Sequence, residues 1–309
     1  MTEAASLTTQ GPDVVALGGG FGLSTTLRAL RHYAGNITGI VSVADDGGSS
    51  GRLRRAFGIP APGDLRRCLV ALAEEGSPWA DAFEHRFTAS ELEGHPLGNI
   101  VIAGLTETTK DFGSAIQLVL RLLGGVGRVL PATSEPVVLK GTWMRDRDGL
   151  SSMGEVHGEV RVGQTSGLTS LAFVPPDPMV PAEALEALRV AEQIVLSPGS
   201  LFTSLLAVAS LPAIRDALRV AQGQRVYVAN LAEQHPETTG FDVAAHVRTL
   251  RQHGVEVDVV VYDPDALPLG DLGDGDPGAV RCVAARLADG TGRLHDPRAL
   301  ATVLSALVA

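Results

Sequence analysis

The chain has 309 residues, of which 45% are hydrophobic and 19% charged, and its formal net charge is −10. This composition is typical of a globular protein with a real core. Proteins that bind nucleic acid carry basic surfaces, so the acidic balance argues against DNA or RNA as a partner and leaves a small anionic ligand open. Cys68 and Cys282 have no metal-ligand spacing, which indicates reduced thiols rather than a disulfide framework.

The N-terminal residues do not have the pattern of an export signal. They are polar and lack a basic stretch followed by an apolar one, and no apolar run of the chain approaches the length that spans a bilayer. We therefore expect a disordered tail over residues 1–11, a single α/β domain over 12–309, a cytoplasmic location and no insertion into a membrane.

The chain opens with the pattern of a βαβ unit. A β-branched run at Val14–Leu17 leads directly into Gly18-Gly19-Gly20-Phe21-Gly22. An amphipathic stretch follows over Leu23–Tyr33, and a second apolar run covers Ile37–Val43. Strand, glycine turn, helix and strand in this order predict a parallel pair of strands with a ligand-binding turn.

The rest of the chain predicts a doubly wound α/β fold. Helical periodicity runs from about Asp64 to Gly125, and short β-type runs separated by Gly, Ser and Asp occupy about 126–175. The latter region predicts a small antiparallel β insertion, whose runs are Val137–Leu139, Val156–Val162 and Leu171–Val174. Alternating strands and helices then continue to the last helix, with a loop at 264–277. The whole predicts a Rossmann-like, mostly parallel sheet with helices on both faces and a ligand crevice at the carboxyl ends of its strands.

The glycine run is the first candidate binding site. Glycine permits left-handed backbone and close approach, so amides at the start of the following helix can surround an anion. The expected ligand contacts are Gly18, Gly19, Gly20, Gly22, Leu23 and Ser24. A tight strand–helix turn without a ligand is the alternative, because the last glycine of the dinucleotide fingerprint is missing.

Asp45 and Asp46 end the second strand, where an acidic residue often binds a ribose hydroxyl. The glycine- and serine-rich string that follows predicts a second anion site, with contacts from Gly48, Ser49 and Ser50. In a phosphotransferase, Asp45, Asp46 and Asp64 would instead hold Mg²⁺ beside the phosphates. An Asp-Gly turn without a ligand is the remaining alternative.

Arginines and a His/Asn turn come next in the chain. The guanidinium fork matches phosphate, which makes Arg52 and Arg66 candidate ligand contacts, although a solvated face explains any single arginine equally well. Asp64 lies at a predicted helix start, where its alternative role is an N-cap. His95 and Asn99 occupy the loop-to-helix turn Gly-His-Pro-Leu-Gly-Asn and are expected in the same site.

Two later strand ends also carry polar loops. Ser-Pro-Gly-Ser follows the strand after the insertion and opens a helix, and Asn230 ends the next strand. The contacts expected from these loops are Pro198, Gly199, Ser200, Thr203 and Asn230. The sequence contains neither a Walker lysine motif nor a nucleophile elbow, so no catalytic residue is assigned.

Taken together, these strings resemble the gluconeogenesis factor family, which belongs to the superfamily of 2-phospho-L-lactate transferase. The strings are GGGFGLS, VADDGGSSGRLR, PGDLR, GHPLGN, LPAT and SPGSL, and they extend from about Val14 to Tyr262. The resemblance implies a cytoplasmic bacterial protein that binds UDP-sugars or other dinucleotides. It also implies a link to cell shape and peptidoglycan synthesis during growth on gluconeogenic carbon. The acidic string departs from the Thr-Gly-Asp-Asp type of the transferases, which join a phospholactyl-type group to a deazaflavin with Mg²⁺.

Three functions remain open at this point. A non-catalytic nucleotide-sugar-binding regulator comes first, because several loops suit anions and no nucleophile is recognisable. A Mg²⁺-dependent phosphotransferase comes second, and an NAD oxidoreductase, suggested only by the βαβ opening, comes third. The expected partner is a nucleotide-sugar or another diphosphate. A homo-oligomer through an apolar helix such as Phe112–Leu123 is an alternative to burial of that helix in the core.

Overall fold

The computed structural model describes residues 11–147, 150–272 and 280–308. The tail expected over 1–11 therefore lies outside the described residues, apart from Gly11, and so does the part of the expected 264–277 loop from 273 onward. The strands of the described ranges are β1 (Asp13–Gly18), β2 (Asn36–Val41), β3 (Arg128–Pro131), β4 (Val138–Arg147), β5 (Leu150–His157), β6 (Leu168–Val174), β7 (Gln193–Leu196), β8 (Gln224–Val228), β9 (Val259–Tyr262) and β10 (Arg281–Ala284).

Seven of these strands form a parallel sheet in the order β10-β9-β8-β7-β1-β2-β3. From β1 the chain winds outward through β2 to β3, and from β7 it winds outward in the other direction to β10. The direction of winding thus reverses between β1 and β7, which is the place where sheets of this kind bind ligands. The prediction of a Rossmann-like, doubly wound sheet is confirmed.

Helices connect these strands. They are α1 (Gly20–Leu30), α2 (Gly48–Phe57), α3 (Gly63–Leu72), α4 (Pro78–Glu84), α5 (Leu97–Thr109), α6 (Phe112–Leu122), α7 (Glu159–Gly163), α8 (Ala182–Val190), α9 (Ala207–Ala209), α10 (Pro212–Val220), α11 (Val243–Gln252) and α12 (Pro297–Ser305). A π-helical segment, Leu201–Leu206, leads into α9. Because parallel crossovers are right-handed, α1 after β1 and α10 after β7 cover opposite faces of the sheet, and the C-terminal α12 packs against α1.

The antiparallel insertion is a three-stranded sheet of order β5-β4-β6. Two of its expected parts lie elsewhere. Arg128–Pro131 pairs with β2 in the main sheet, and the run Val156–Val162 is not one strand. There, β5 ends at His157, Gly158 adopts a left-handed φ of 96°, and α7 begins. The division into one domain with an insertion at 126–175 stays a prediction.

The core lies on both faces of the main sheet. Val14, Val15, Ala16 and Leu17 are all buried, as expected for a parallel strand that is covered on both sides. The apolar face of α6 is buried as well, so α6 is a core helix. No single described helix is long and apolar enough to cross a bilayer. Leu201–Ala209 and Pro212–Val220 meet that test only as a pair bent by 69°.

Candidate functional site

The loops after β1 and β7 meet where the winding of the sheet reverses. Gly22 packs directly on the carbonyl oxygen of Pro198, and any Cβ at this position would overlap that oxygen. The glycine run is therefore required by a close approach of two backbones. Helix α1 begins at Gly20, and the amides of Phe21 and Gly22 have no hydrogen-bond partner among the described residues. The start of α1 thus keeps two free donors that could bind an anion.

Asp64 lies against the other side of this glycine turn. Its carboxylate accepts the Gly20 amide and pairs with Arg67 at 2.7 Å, and a Cβ on Gly19 would lie 2.5 Å from it. Burial raises the pKa of the Asp64 carboxyl; Arg67 opposes this shift and Asp45 adds to it. The N-cap of α3 is Pro62, so Asp64 holds the glycine turn instead of capping its own helix.

Four carboxylates lie close enough to Glu159 for their charges to act on it: Asp45, Asp46, Asp64 and Glu237. Burial raises the pKa of Glu159 to about 8, and repulsion from the other four contributes to the same shift. Glu159 belongs to α7 of the insertion, so the insertion reaches over the carboxyl end of the main sheet. We name these five residues the acidic cluster.

Asp45 and Asp46 use their oxygens within the protein. Asp46 accepts the amides of Glu159 at 3.1 Å and Val160 at 3.0 Å, which anchors the start of α7. Asp45 accepts the Gly47 amide at 2.8 Å in an Asx turn. Across the described ranges, no three His, Cys, Asp or Glu side chains are arranged to hold a metal ion. Magnesium binding by Asp45, Asp46 and Asp64 therefore stays a prediction without a preformed site.

The free amides of the loop after β7 are also bonded to a carboxyl group of the protein. Glu237 accepts the amides of Phe202 at 2.6 Å and Thr203 at 3.0 Å, and Ser200 bonds to the same carboxylate. The helix start at which the sequence predicts ligand contacts thus already binds a carboxyl group of the protein itself. Burial raises the pKa of the Glu237 carboxyl, while these hydrogen bonds oppose the shift.

The Asn230 side chain forms hydrogen bonds with both the amide and the carbonyl of Gly199. Its Oδ1 accepts the Gly199 amide at 2.7 Å, and its Nδ2 donates to the Gly199 carbonyl at 2.9 Å. The side chain is 7% exposed. Asn230 therefore sets the shape of the loop that packs on the glycine turn.

A buried polar chain supports the second predicted anion site. Ser49, near the start of α2, lies 2.7 Å from His95 Nδ1 and 3.1 Å from Asn99 Nδ2. Arg66 Nε donates to Asn99 Oδ1 at 3.1 Å, and Arg66 is ion-paired with Glu84. Asn99 and Arg66 are each 2% exposed, so both side chains act within the protein. Ser49, His95, Asn99 and Arg66, which the sequence analysis named as candidate ligand contacts, thus bond to one another in a chain.

A cavity of about 230 Å³ opens beside the glycine turn, and no residue of the acidic cluster belongs to its lining. Its lining includes Phe21, Gly22, Gly199, Asn230 and Arg293. The Arg293 side chain forms no ion pair with the described residues, and the Phe21 ring is 65% exposed. A larger cavity of about 510 Å³, between α6 and β3, contains none of the predicted site residues.

The remaining predicted contacts lie around these features. Leu23 and Ser24 are buried in the first turns of α1, where the Ser24 hydroxyl donates to the Phe21 carbonyl at 3.0 Å. Arg52 is exposed and donates to the Glu93 carbonyl at 2.7 Å. Glu159 and Arg293 are the site residues that sequence reasoning missed. No local pattern marks either of them, because each is brought to the site by a distant part of the chain.

Comparison with known proteins agrees with these motifs. A family profile described as 2-phospho-L-lactate transferase CofD matches residues 14–272. The gluconeogenesis factor of Bacillus subtilis is 39% identical over 246 residues, which are 79% of this chain and 75% of that protein. A relative from Nostoc sp. is 41% identical over 243 residues, which are 78% of this chain but only 52% of the longer relative.

The fold is similar to a solved structure. The crystal structure of a UPF0052 family member from Bacillus halodurans superposes with a TM-score of 0.87 at 32% identity. The match covers 97% of this chain and 99% of that one. The resemblance first read from the GGGFGLS, VADDGGSSGRLR and SPGSL strings is thereby confirmed.

Proposed function

Since the chain belongs to the family of 2-phospho-L-lactate transferase CofD, we propose that it is a nucleotide-sugar-binding regulator. It binds a UDP-sugar at the point where the sheet reverses its winding and does so without turnover. Through that binding it adjusts growth on gluconeogenic carbon, cell shape and cell-wall synthesis. The name gluconeogenesis factor, carried by the Bacillus subtilis relative, supports the metabolic part of this proposal.

The observation that carries the proposal is the cavity beside the start of α1. The two unpartnered amides, of Phe21 and Gly22, open this helix and suit a diphosphate. Arg293, which also belongs to the cavity lining, adds a cation that no described carboxylate pairs. The diphosphate binds here because the acidic cluster, which lies outside the lining of this cavity, would repel it.

The same cavity suits a nucleoside. Phe21 and Leu294, which are 65% and 52% exposed, both belong to its lining and offer apolar surface to a base. Arg67 stacks on the Phe21 ring at 4.7 Å and holds it in place. Exposed apolar side chains at the edge of a polar cavity are typical of a binding surface.

The hydrogen bonds of Asp46 and Glu237 favour a structural role for these carboxylates over proton transfer. Asp46 accepts one backbone amide with each oxygen, and Glu237 accepts two with Oε1, so these three oxygens are committed to the loops that they shape. A general base needs a free oxygen within reach of the proton that it removes. This arrangement supports binding without turnover.

A Mg²⁺-dependent phosphotransferase is the second candidate, and one observation favours it. Asp45 lies close enough to Asp64 to raise the pKa of that carboxyl, beside a helix start that suits a phosphate. A divalent ion would relieve that repulsion. Asp45 and Asp64 would hold the ion, which would supply charge neutralisation at the phosphates.

Substitution of Arg293 tests the proposed site. We expect Arg293→Gln to weaken binding of UDP-N-acetylglucosamine about tenfold, as the loss of one charge-assisted hydrogen bond does. Arg298→Gln is the matched control, because Arg298 is exposed on α12 and lies outside the cavity lining. Equal affinities of the two variants in calorimetry would overturn this placement of the ligand.

A further inference from the structure

The GHPLGN turn and the start of α2 have no role in the proposed UDP-sugar site. His95 of this turn is 7% exposed. The backbone around it is held by two hydrogen bonds: the Phe87 amide donates to the His95 carbonyl, and the Leu97 amide donates to the His85 carbonyl. These bonds fix the position of the imidazole ring. What the ring presents to a ligand depends on which nitrogen carries the proton.

The buried polar chain determines that tautomer. Arg66 can only donate, so the Asn99 atom that faces it is the carbonyl oxygen and the Asn99 amide nitrogen faces Ser49. The Ser49 oxygen therefore accepts from Asn99, and within the described residues His95 Nδ1 is the acceptor available to the Ser49 proton. Nδ1 is then unprotonated, and the neutral ring carries its proton on Nε2.

Two arginines flank the loop that carries this ring. Arg52 Nη2 donates to the Glu93 carbonyl at 2.7 Å, and Arg86 Nη1 donates to the Gly94 carbonyl. Burial lowers the pKa of His95, and the positive charges of Arg52 and Arg86 lower it further. The ring thus stays neutral, and its surroundings favour a negative charge in front of it. Nε2 has no partner within the part of the chain that the structure describes.

We propose that the Nε2–H of His95, with Arg52 and Arg86, binds an oxyanion, the phosphoryl or carboxylate group of a small molecule, at a site separate from the glycine turn. Ser49, Asn99 and Arg66 are positioning residues that keep the His95 proton on Nε2. Helix α2 begins beside Ser49 without a side-chain cap, so its first amides add to the positive character of this region. This oxyanion site goes beyond UDP-sugar binding and does not depend on it.

The tautomer is tested on the whole protein by the two-bond proton–nitrogen correlation spectrum of its histidine rings at pH 7. We expect His95 to show the neutral Nε2–H pattern in the wild type. Asn99→Leu, which removes the donor to Ser49, is expected to add a fraction of the other tautomer. A charged ring or an Nδ1–H tautomer in the wild type would overturn the proposal.

Oxyanion binding is tested by titrating the same spectrum with inorganic phosphate and, separately, with acetate. We expect the His95 signals to shift and saturate with one of the two, and the one that saturates identifies the phosphoryl or the carboxylate class. If the His95 signals saturate with neither anion, any shift reports an adventitious ion only, and the proposal is overturned.

Variants separate this site from general surface charge, and their affinities for the anion that saturates the wild type are measured by calorimetric titration, because the His95 variants lack the ring signal. Glutamine can place its side-chain nitrogen near the position of Nε2, so His95→Gln is expected to bind within about twofold of the wild type and His95→Asn about tenfold more weakly. Arg52→Gln is expected to lose about tenfold as well. Arg55→Gln, also exposed on α2, is the matched control. Arg293→Gln is expected to leave this titration unchanged, and equal affinities for all of these variants would contradict the proposal.

Discussion

The Asp46 carboxylate accepts the backbone amide of Glu159 at 3.1 Å, although the two residues lie 113 positions apart. A second bond from the same carboxylate to the amide of Val160 completes the anchor at 3.0 Å. The acidic string after the second strand therefore attaches the insertion to the main sheet. It also brings the Glu159 side chain into the acidic cluster, where burial and like charge keep it protonated near neutral pH.

Removal of this anchor is expected to loosen the insertion. Asp46→Ala deletes both acceptors at the start of α7 and should lower the free energy of unfolding by about 1–2 kcal/mol, as loss of a helix cap does. Hydrogen exchange at the Glu159 and Val160 amides should accelerate at the same time. Asp177→Ala, at an exposed loop position, is the control. Unchanged exchange at both amides in Asp46→Ala would show that the anchor contributes nothing.

Stability should fall as the pH rises through the range in which Glu159 ionises. Its pKa is raised from 4.5 to about 8 in the folded protein, so between these values the folded state keeps a proton that the unfolded state has lost. Glu159→Gln cannot ionise, and its advantage in melting temperature over the wild type should grow from pH 5 to pH 9. Glu183→Gln, exposed on α8, should run parallel to the wild type. Parallel curves for Glu159→Gln as well would contradict the raised pKa.

Gly22 should not tolerate a side chain. Because a Cβ at this position overlaps the Pro198 carbonyl, Gly22→Ala is expected to destabilise the fold by about 1–3 kcal/mol in urea unfolding. Gly104→Ala in α5 is the matched control, since no atom lies within 4 Å of the added Cβ. Alanine is the better helix former, so this control should gain about 0.5–1 kcal/mol. Equal stability changes in the two variants would contradict the close approach of the two loops.

Two substitutions at Asn230 should give a graded loss. Asn230→Asp keeps an acceptor for the Gly199 amide but cannot donate to the Gly199 carbonyl, whereas Asn230→Ala loses both bonds. We expect a cost of about 1–3 kcal/mol for the first variant and a larger one for the second, measured by urea unfolding. UDP-sugar affinity should fall in the same order, because both bonds shape the loop that lines the cavity. The reverse order would exclude this clamp.

The sheet and the glycine turn could be predicted from the sequence because their signals are local. Val14–Leu17 is a short apolar run that ends in glycine, and buried parallel strands have this pattern whatever surrounds them. Helix α2 was not predicted, because the sequence carries no such local signal for it. Its first residues, Gly-Ser-Ser-Gly, are poor helix formers, and the helix depends on burial of Ser50 and Leu53 by distant parts of the chain.

The roles of the charged residues were harder to predict than their positions. Asp46 and Glu237 look like ligand-binding or loop residues in the sequence, yet each bonds to amides that only the folded chain brings near. The sequence cannot show that a helix start is already filled by the protein's own carboxylate. His95 and Asn99 both bond to Ser49, and only the directions of these hydrogen bonds indicate that a ring nitrogen of His95 is left for a ligand.

The two candidate functions predict different effects of Asp64→Asn on ligand binding with and without Mg²⁺. If the diphosphate binds on the cavity side of the glycine turn, Asp64→Asn should leave metal-free UDP-sugar affinity unchanged or increase it, since a nearby negative charge is removed. A Mg²⁺-dependent transferase should instead lose its metal-assisted binding in this variant. Loss of metal-free binding in Asp64→Asn would contradict the proposed position of the diphosphate.

Calorimetric titration of the whole protein with UDP-N-acetylglucosamine, with and without Mg²⁺ and with NAD and GDP as comparators, tests the central claim most directly. We predict micromolar binding of the UDP-sugar without the metal, weaker binding of NAD and GDP, and an unchanged ligand after incubation. Binding that requires Mg²⁺ and prefers GDP would contradict the regulator and favour a phosphotransferase.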